Sequence, residues 1–332
     1  MSTNSAALAR RRTTLPGGPA LLLLVTIPLV STIALRATSA ADPSAAPALL
    51  DASQARRAGQ LIELRRHPDL PAPLVEVVGT GPLTPIAVTA DGSAIALADR
   101  PGMDPATLVI AAADGSQVRV QMDGLLAAGF APDGSWLAAS DGTGRLWRIS
   151  RDGTLPAPLA DGPFAGPILV EPSGSILALA VASVEAPFTA RLVRLDAASG
   201  STVQLVDEQL VYDVQPLQGG LAIIAHHPDG TVVESLRDGA LRVVAGLGAG
   251  AVNVSVSADE ETIAWERNGV VYVRSHAGEL GIATGTRPRL SLDGSMLTVD
   301  TDGGSRVLAA DGSLLAVLAG PAMLLPCGEC GS

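Results

Sequence analysis

Apolar and polar positions alternate along most of this chain in short runs broken by glycine. Ala128-Gly-Phe-Ala-Pro, Trp136-Leu-Ala-Ala-Ser and Arg145-Leu-Trp-Arg-Ile follow one another in this way. Period-two alternation bounded by Asp-Gly predicts strand, hairpin, strand. No 3.6-residue period is visible after residue 60, so the pattern predicts an all-β chain. Asp-Gly suits a type I′ hairpin turn, in which both central residues take positive φ.

The pattern repeats. Asp91-Gly-Ser-Ala-Ile-Ala returns as Asp133-Gly-Ser-Trp-Leu-Ala, Ser173-Gly-Ser-Ile-Leu-Ala, Gln218-Gly-Gly-Leu-Ala-Ile, Asp259-Glu-Glu-Thr-Ile-Ala and Asp293-Gly-Ser-Met-Leu-Thr. Their first residues are separated by 42, 40, 45, 41 and 34 positions. Each unit carries a second turn, as at Asp114-Gly115, Asp152-Gly153, Asp238-Gly239 and Asp311-Gly312. Four strands in about forty residues describe a β-propeller blade. The expected fold is therefore an all-β propeller of four-stranded blades, six full repeats plus an N-terminal half-blade, giving six or seven blades. The half-blade is Gly59 to Leu74, whose residues parallel Gly144 to Leu159 in repeat two. It is expected to supply the third and fourth strands of a composite blade whose inner strand is Pro321 to Pro326. Sharing one blade between both chain ends hides open sheet edges. The alternative is a six-bladed ring with the N-terminal hairpin stacked outside it.

Phe130-Ala-Pro-Asp-Gly-Ser-Trp-Leu-Ala138 resembles the F-S-P-D-G-x-x-L-A hallmark of the WD40-like (PD40) repeats in TolB-type propellers. Repeat two matches it closely, and the resemblance covers roughly residues 80–320. His227-Pro-Asp-Gly230 has similar letters at a different place in its repeat. The small α/β domain that precedes the propeller in TolB-like proteins has no visible counterpart. The resemblance implies a propeller with protein or peptide partners engaged at the channel mouth. A fold alone does not define an activity.

The first sixty residues read as an address. Residues 1–14 are a basic, cytoplasmic N-terminus, with Arg10, Arg11 and Arg12 ahead of an uncharged run from Thr13 to Leu35. Arginines before an apolar segment stay in the cytoplasm, so the chain beyond that segment is exported. Residues 15–36 are expected to be a transmembrane anchor or a signal peptide cut near Ser39-Ala40-Ala41. Residues 37–58 form an Ala/Ser/Pro linker, 59–326 the propeller and 327–332 a Cys-containing tail. The expected location is the cell membrane, single-pass with the propeller extracytoplasmic. The alternative is a secreted or periplasmic protein after cleavage.

Charge sharpens this division. Residues 1–66 carry a net +5 and residues 67–332 a net −16, within a total of −11 over 332 residues. The acidic ring argues against a nucleic-acid partner, which requires phosphate neutralisation. All 22 basic residues are arginine, which excludes the lysine-dependent P-loop, kinase and Schiff-base chemistries. Aromatic residues make up only 2% of the chain, few for sugar or nucleic-acid platforms. Trp147 and Tyr272, on third strands, are expected to pack between blades; Trp136 and Trp265 lie on second strands.

Candidate chemistry is sparse. Cys327 and Cys330 are expected to form a local disulfide in an oxidising compartment. They lack the second ligand pair of a structural zinc site. His67 sits in a predicted turn, and His276 completes the short list of histidines. His226 and His227 point to opposite faces of a strand, which argues against joint chelation. Gly246-Leu-Gly-Ala-Gly250 precedes a strand, unlike a phosphate-binding fingerprint, and reads as a blade linker. Twelve aspartates precede glycine, spread one per turn, which suits hairpins better than calcium. No catalytic, cofactor or metal residue is assigned. Glu171, Tyr212, Asp213, Arg287 and Arg289 are the inner-strand residues expected near the channel mouth. The leading functional expectation is a non-enzymatic extracytoplasmic binding or scaffold protein with a protein or peptide partner. The alternatives are a propeller hydrolase or lyase with a metal or polar site in its channel, and a structural subunit of a membrane complex.

Overall fold

Seven antiparallel sheets form the blades of a propeller in the computed structural model, which describes residues 47–49, 62–79, 83–99, 105–182 and 189–326. The apolar stretch 15–36 and the pair Cys327 and Cys330 lie outside the described residues. Three strands precede the first repeat: β1 (Ala48–Leu49), β2 (Glu63–Arg66) and β3 (Leu74–Val78). Blade 1 holds β4 (Leu83–Val88), β5 (Ala94–Asp99), β6 (Ala106–Ala112) and β7 (Gln117–Met122). Blade 2 holds β8 (Ala127–Phe130), β9 (Trp136–Ser140), β10 (Leu146–Ser150) and β11 (Ala157–Ala160). Blade 3 holds β12 (Phe164–Val170), β13 (Ile176–Val181), β14 (Ala190–Leu195) and β15 (Thr202–Gln209). Blade 4 holds β16 (Val211–Leu217), β17 (Gly220–His227), β18 (Gly230–Arg237) and β19 (Ala240–Gly248). Blade 5 holds β20 (Val252–Val256), β21 (Ile263–Arg267), β22 (Val270–Ser275) and β23 (Gly278–Thr284). Blade 6 holds β24 (Thr286–Leu290), β25 (Met296–Thr301), β26 (Gly304–Ala309) and β27 (Leu314–Leu318), and β28 (Ala322–Leu324) comes last.

Second strands are buried along nearly their whole length, as in Ala94–Ala98 and Leu137–Ser140, because both their faces pack on neighbouring blades. The cores consequently lie between blades. Leu108 and Ile110 of blade 1 meet Leu137, Trp147 and Ile149 of blade 2. Trp136 packs between blades 2 and 3, and Trp265 with Tyr272 between blades 4 and 5. Hydroxyl-to-carbonyl links join blades directly: Ser140 Oγ donates to Phe164 O at 2.6 Å and Thr231 Oγ1 to Ala251 O at 2.7 Å.

The seventh blade closes the ring, with a different strand order from that expected. Its order is β2-β3-β28, so β28 is the inner strand, β3 takes the second position and β2 the third. The fourth position holds no strand among the described residues. The reason is local hydrophobicity. Leu74-Val-Glu-Val-Val78 is buried on both faces and must lie inside the sheet, whereas Glu63-Leu-Arg-Arg66 is mostly exposed and suits an edge. The linker also departs from expectation: Ala48 and Leu49 pair with Gln121 and Val120 on the outer edge of blade 1.

The Asp-Gly turns differ from type I′ as well. Asp238-Gly239 alone among these pairs has both residues at positive φ (51° and 77°). Elsewhere the glycine or a following residue takes the left-handed conformation, and Asp91, Asp114, Asp133, Asp141, Asp152, Asp293 and Asp311 cap their turns. Asp133 Oδ1 accepts the backbone N–H of Ser135 at 3.0 Å, and Asp114, Asp152 and Asp311 accept N–H groups two residues on at 2.9 Å. These bonds favour the charged form. The Thr154 hydroxyl, then the Ser150 hydroxyl, hold Asp152 at about 2. Hairpin chemistry thus occupies these carboxylates.

Candidate functional site at the ring closure

The chain enters every inner strand from the same face of the ring, and polarity there is uneven. Blades 1–3 begin their inner strands with Leu83-Thr-Pro, Ala127-Ala-Gly and Phe164-Ala-Gly. Blades 4–6 begin theirs with Val211-Tyr-Asp, Val252-Asn-Val and Thr286-Arg-Pro. The pairing register shifts along the inner strands of blades 1, 3, 4, 5 and 6, and in the last three the bulge falls where polar side chains lie.

Two of these residues are held in the left-handed region, Asn253 at φ 51° and Arg287 at φ 48°. Such a conformation is uncommon for arginine and needs support from its surroundings. Glu266 on β21 supplies it to both. Its Oε2 accepts Asn253 Nδ2 at 2.8 Å and the Arg287 backbone N–H at 3.3 Å. Asp300, buried on β25, then receives two guanidinium groups. Arg287 Nε lies 3.1 Å from Oδ2, and Arg289 Nη1 lies 3.3 Å from Oδ1. Ser305 Oγ reaches Oδ1 at 3.3 Å.

Beside this group a cleft of about 430 Å³ opens between blade 6 and the closing blade. Val77, Gly79, Arg287, Asp302, Gly303 and Gly320 are among its lining residues. Backbone forms part of the wall, and two of its glycines, Gly304 and Gly320, sit where side chains do not fit. A Cβ on Gly320 would overlap the carbonyl oxygen of Val77, and one on Gly304 that of Leu318. The cleft also sits on the ring's clasp. Val77 N donates to Pro321 O at 2.9 Å. Glu76 Oε1 accepts the backbone N–H of Ala319 at 2.9 Å and of Gly320 at 3.1 Å, and Oε2 lies 3.1 Å from His67 Nε2.

Blade 4 carries a second polar group. Tyr212 and His226 stack with ring centroids 4.5 Å apart, and Thr231 Oγ1 lies 3.3 Å from His226 Nδ1. Asp213 accepts Gln215 Nε2 at 2.7 Å and the Val214 N–H at 2.9 Å. Gln215 also bridges to blade 5, donating to Val254 O at 2.6 Å and accepting from Val256 N at 3.0 Å. Removal from water pushes Asp213 up to about 6, against hydrogen bonds from Gln215 and Val214. Burial lowers His226 and, with the charge of Asp213, raises Tyr212.

A raised carboxylate pKa makes the folded state the better proton binder. The stability Asp213 contributes is present in full below its unfolded value of 3.8 and is lost as pH rises through about 6. Asp213→Asn should therefore gain stability relative to the parent protein between pH 4 and pH 7. Urea unfolding of the two proteins across that range checks it, and parallel profiles would contradict it.

The remaining sequence candidates fall elsewhere. Tyr212, Asp213, Arg287 and Arg289 sit on inner strands as expected. Glu171 does not join them. It follows β12 at the opposite end of its inner strand and pairs with Arg194, at 2.7 Å. His227 lies 3.8 Å from Glu234 while His226 stacks on Tyr212, so the adjacent histidines do diverge. His276 pairs with Glu261 at 2.8 Å on the exposed surface. Gly246-Leu-Gly-Ala-Gly250 ends β19 and leads into β20 as a blade linker. Among the described residues no three His, Cys, Asp or Glu side chains are grouped to hold a metal ion. Sequence reasoning passed over Glu76, Glu266 and Asp300. Glu76 alone left a signal, a single charge inside an otherwise apolar run.

No protein-family model matches the chain, and no curated protein matches it in sequence. Solved structures do resemble it. A chain of Kuenenia stuttgartiensis hydrazine synthase superposes with a TM-score of 0.55 at 12% identity, covering 76% of this chain and 95% of that one. An oligogalacturonate lyase in complex with manganese gives 0.53 at 14% identity, over 78% and 84% of the two chains. The β-propeller domain of the Trilobed protease from Pyrococcus furiosus, described as having an open velcro topology, gives 0.50 at 12%, over 72% and 85%. These likenesses share a fold across differing proteins. A β-propeller, the fold that the Phe130–Ala138 resemblance implies, is the fold this chain has.

Proposed function

We propose that this chain is a non-enzymatic, extracytoplasmic binding or scaffold protein, a membrane-tethered propeller that engages protein or peptide partners through its inner-strand entry face. The observation that carries the proposal is the open cleft at the ring closure, set beside the polar entry residues of blades 4–6. Rigid scaffolds that present irregular backbone and a few fixed polar groups in a concavity are suited to recognition. The tether and the exported location rest on the arginines before the apolar run 15–36 and on the change of charge beyond it.

The test is affinity capture of the tagged full-length chain from its native membranes. The expected result is a reproducible protein partner exposed on the outer side. Absence of any partner, together with turnover of a substrate that Asp213→Asn abolishes, would favour the hydrolase or lyase reading. That second reading draws on Asp213, whose pKa of about 6 places it within reach of proton exchange near neutrality.

A further inference from the structure

We infer that the cleft between blade 6 and the closing blade recognises a carboxylate on an extended peptide, with Arg287 as the group that binds it. This deepens the peptide-binding reading and rests on it.

The charge arrangement comes first. Asp300 is a single buried carboxylate facing two guanidinium groups, Arg287 on Oδ2 and Arg289 on Oδ1. A guanidinium has five N–H donors in a fixed fork, so one aspartate shared between two arginines leaves donors over. Arg287 meets Asp300 through Nε, its side chain is about half exposed (49%), and it lines the cleft. Arg289 is more enclosed, at 25%, and is the better shielded of the two. Arg287 is thus the guanidinium with a free edge toward a ligand. Bidentate pairing with carboxylates is what that planar fork favours.

The backbone makes the same point independently. Arginine is held at φ 48°, where glycine would be at ease, with its N–H tied to Glu266. A non-glycine residue kept in this region by dedicated support signals a demand for its side chain at that place. Of the acids nearby, Glu266 is occupied by Asn253 and by the Arg287 backbone, and Asp302, which shares the cleft wall with Arg287, is exposed on the turn between β25 and β26, where water and salt screen its charge.

The cleft shape sets the ligand class. A volume of about 430 Å³ holds a few residues rather than a folded domain. Gly303, where a Cβ would meet nothing, leaves its part of the wall open to a peptide backbone. The carboxylate belongs either to a peptide C-terminus or to an Asp or Glu side chain.

The experiment uses the detergent-solubilised full-length chain on an array of random decapeptides, each made in three forms. One has a free C-terminal carboxylate, one is amidated, and one is amidated with Asp and Glu replaced by Asn and Gln. The expected result is capture that falls at least about tenfold when the recognised carboxylate is removed. Loss on amidation assigns the C-terminus, and loss only in the third form assigns an acidic side chain. In Arg287→Gly the preference should vanish without loss of thermal stability, because glycine accepts φ 48° and Arg289 still covers Asp300. Capture indifferent to the carboxylate, a preference that survives Arg287→Gly, or no peptide captured at all overturns this inference. The broader binding reading falls only if membrane capture also yields no partner.

Discussion

Replacing Glu76 with alanine is expected to unfasten the ring and to cost about 2–3 kcal/mol of stability, the toll of stranding buried donors that a charged acceptor had satisfied. The carboxylate is nearly inaccessible, at 5% side-chain exposure, and bonds to backbone 243 and 244 residues away. Gly320 is buried, so its N–H has no water to turn to, whereas Ala319 is exposed and recovers a partner from solvent. His67 loses its carboxylate as well. Glu76→Gln keeps an acceptor for the two N–H groups and loses only the charge assistance, so about 1 kcal/mol is expected. Urea midpoints order the three proteins. Limited proteolysis then locates the damage, because a loosened β28 exposes the segment from Ala319 onward while the six complete blades stay resistant. Equal midpoints for the parent protein and Glu76→Ala would mean that β28 and β3 hold together by strand pairing alone.

This clasp also shows where sequence reading stops. The spacing of Asp91, Asp133, Ser173, Gln218, Asp259 and Asp293 reports turns, and turns are local, so the six full repeats were legible, while six or seven blades both remained open. The seventh blade was legible as a composite for the same reason. Its internal order was not, because the likeness of Gly59–Leu74 to the second half of repeat two places β2 correctly in third position but assigns β3 to the fourth. What decides the position of β3 is the apolarity of Leu74-Val-Glu-Val-Val78 on both faces, set against the partner that Ala322–Leu324 provides. The same distinction holds at the candidate site. Tyr212, Asp213, Arg287 and Arg289 were visible as polar residues on predicted inner strands. Asp300 and Glu266, which fix the arginines in place, lie on second strands; the bulged register of β24 on β25 brings Asp300 to them within blade 6, and Glu266 reaches Arg287 across from blade 5. Glu171 went wrong for a related reason: it was placed by strand membership without regard to which end of the strand faces the mouth.

Trp265 is where truncation should be felt most within the body of the ring. It is fully buried between blades 4 and 5, against Leu217, Ile224, Leu247 and Val256. Tyr272 stacks on it at 5.7 Å with the rings 14° from parallel, and the Arg274 guanidinium lies 5.5 Å from its centroid. Trp265→Ala removes the largest fully buried side chain among the described residues and leaves a cavity that two blades share, so a loss of about 3–5 kcal/mol is expected. The indole N–H, however, has no hydrogen-bond partner among the described residues. An unpaired buried donor is a cost to the folded state. Trp265→Phe removes that cost along with part of the ring, and the two changes oppose one another, so the net loss should be only about 1 kcal/mol. A wide gap between the alanine and phenylalanine variants in urea midpoint is therefore the signature of a residue that acts by volume. Near-equal losses would instead show that the indole N–H has a partner, such as an enclosed water, that phenylalanine also forfeits. Hydrogen exchange separates local from global effects. Repeats that contact only their neighbours should transmit the alanine defect to β16–β23 first, with blades 1 and 2 protected until the ring opens. Because β24 packs on β20 and β21, the strand bearing Arg287 should be the next to lose protection, which couples this core to the cleft.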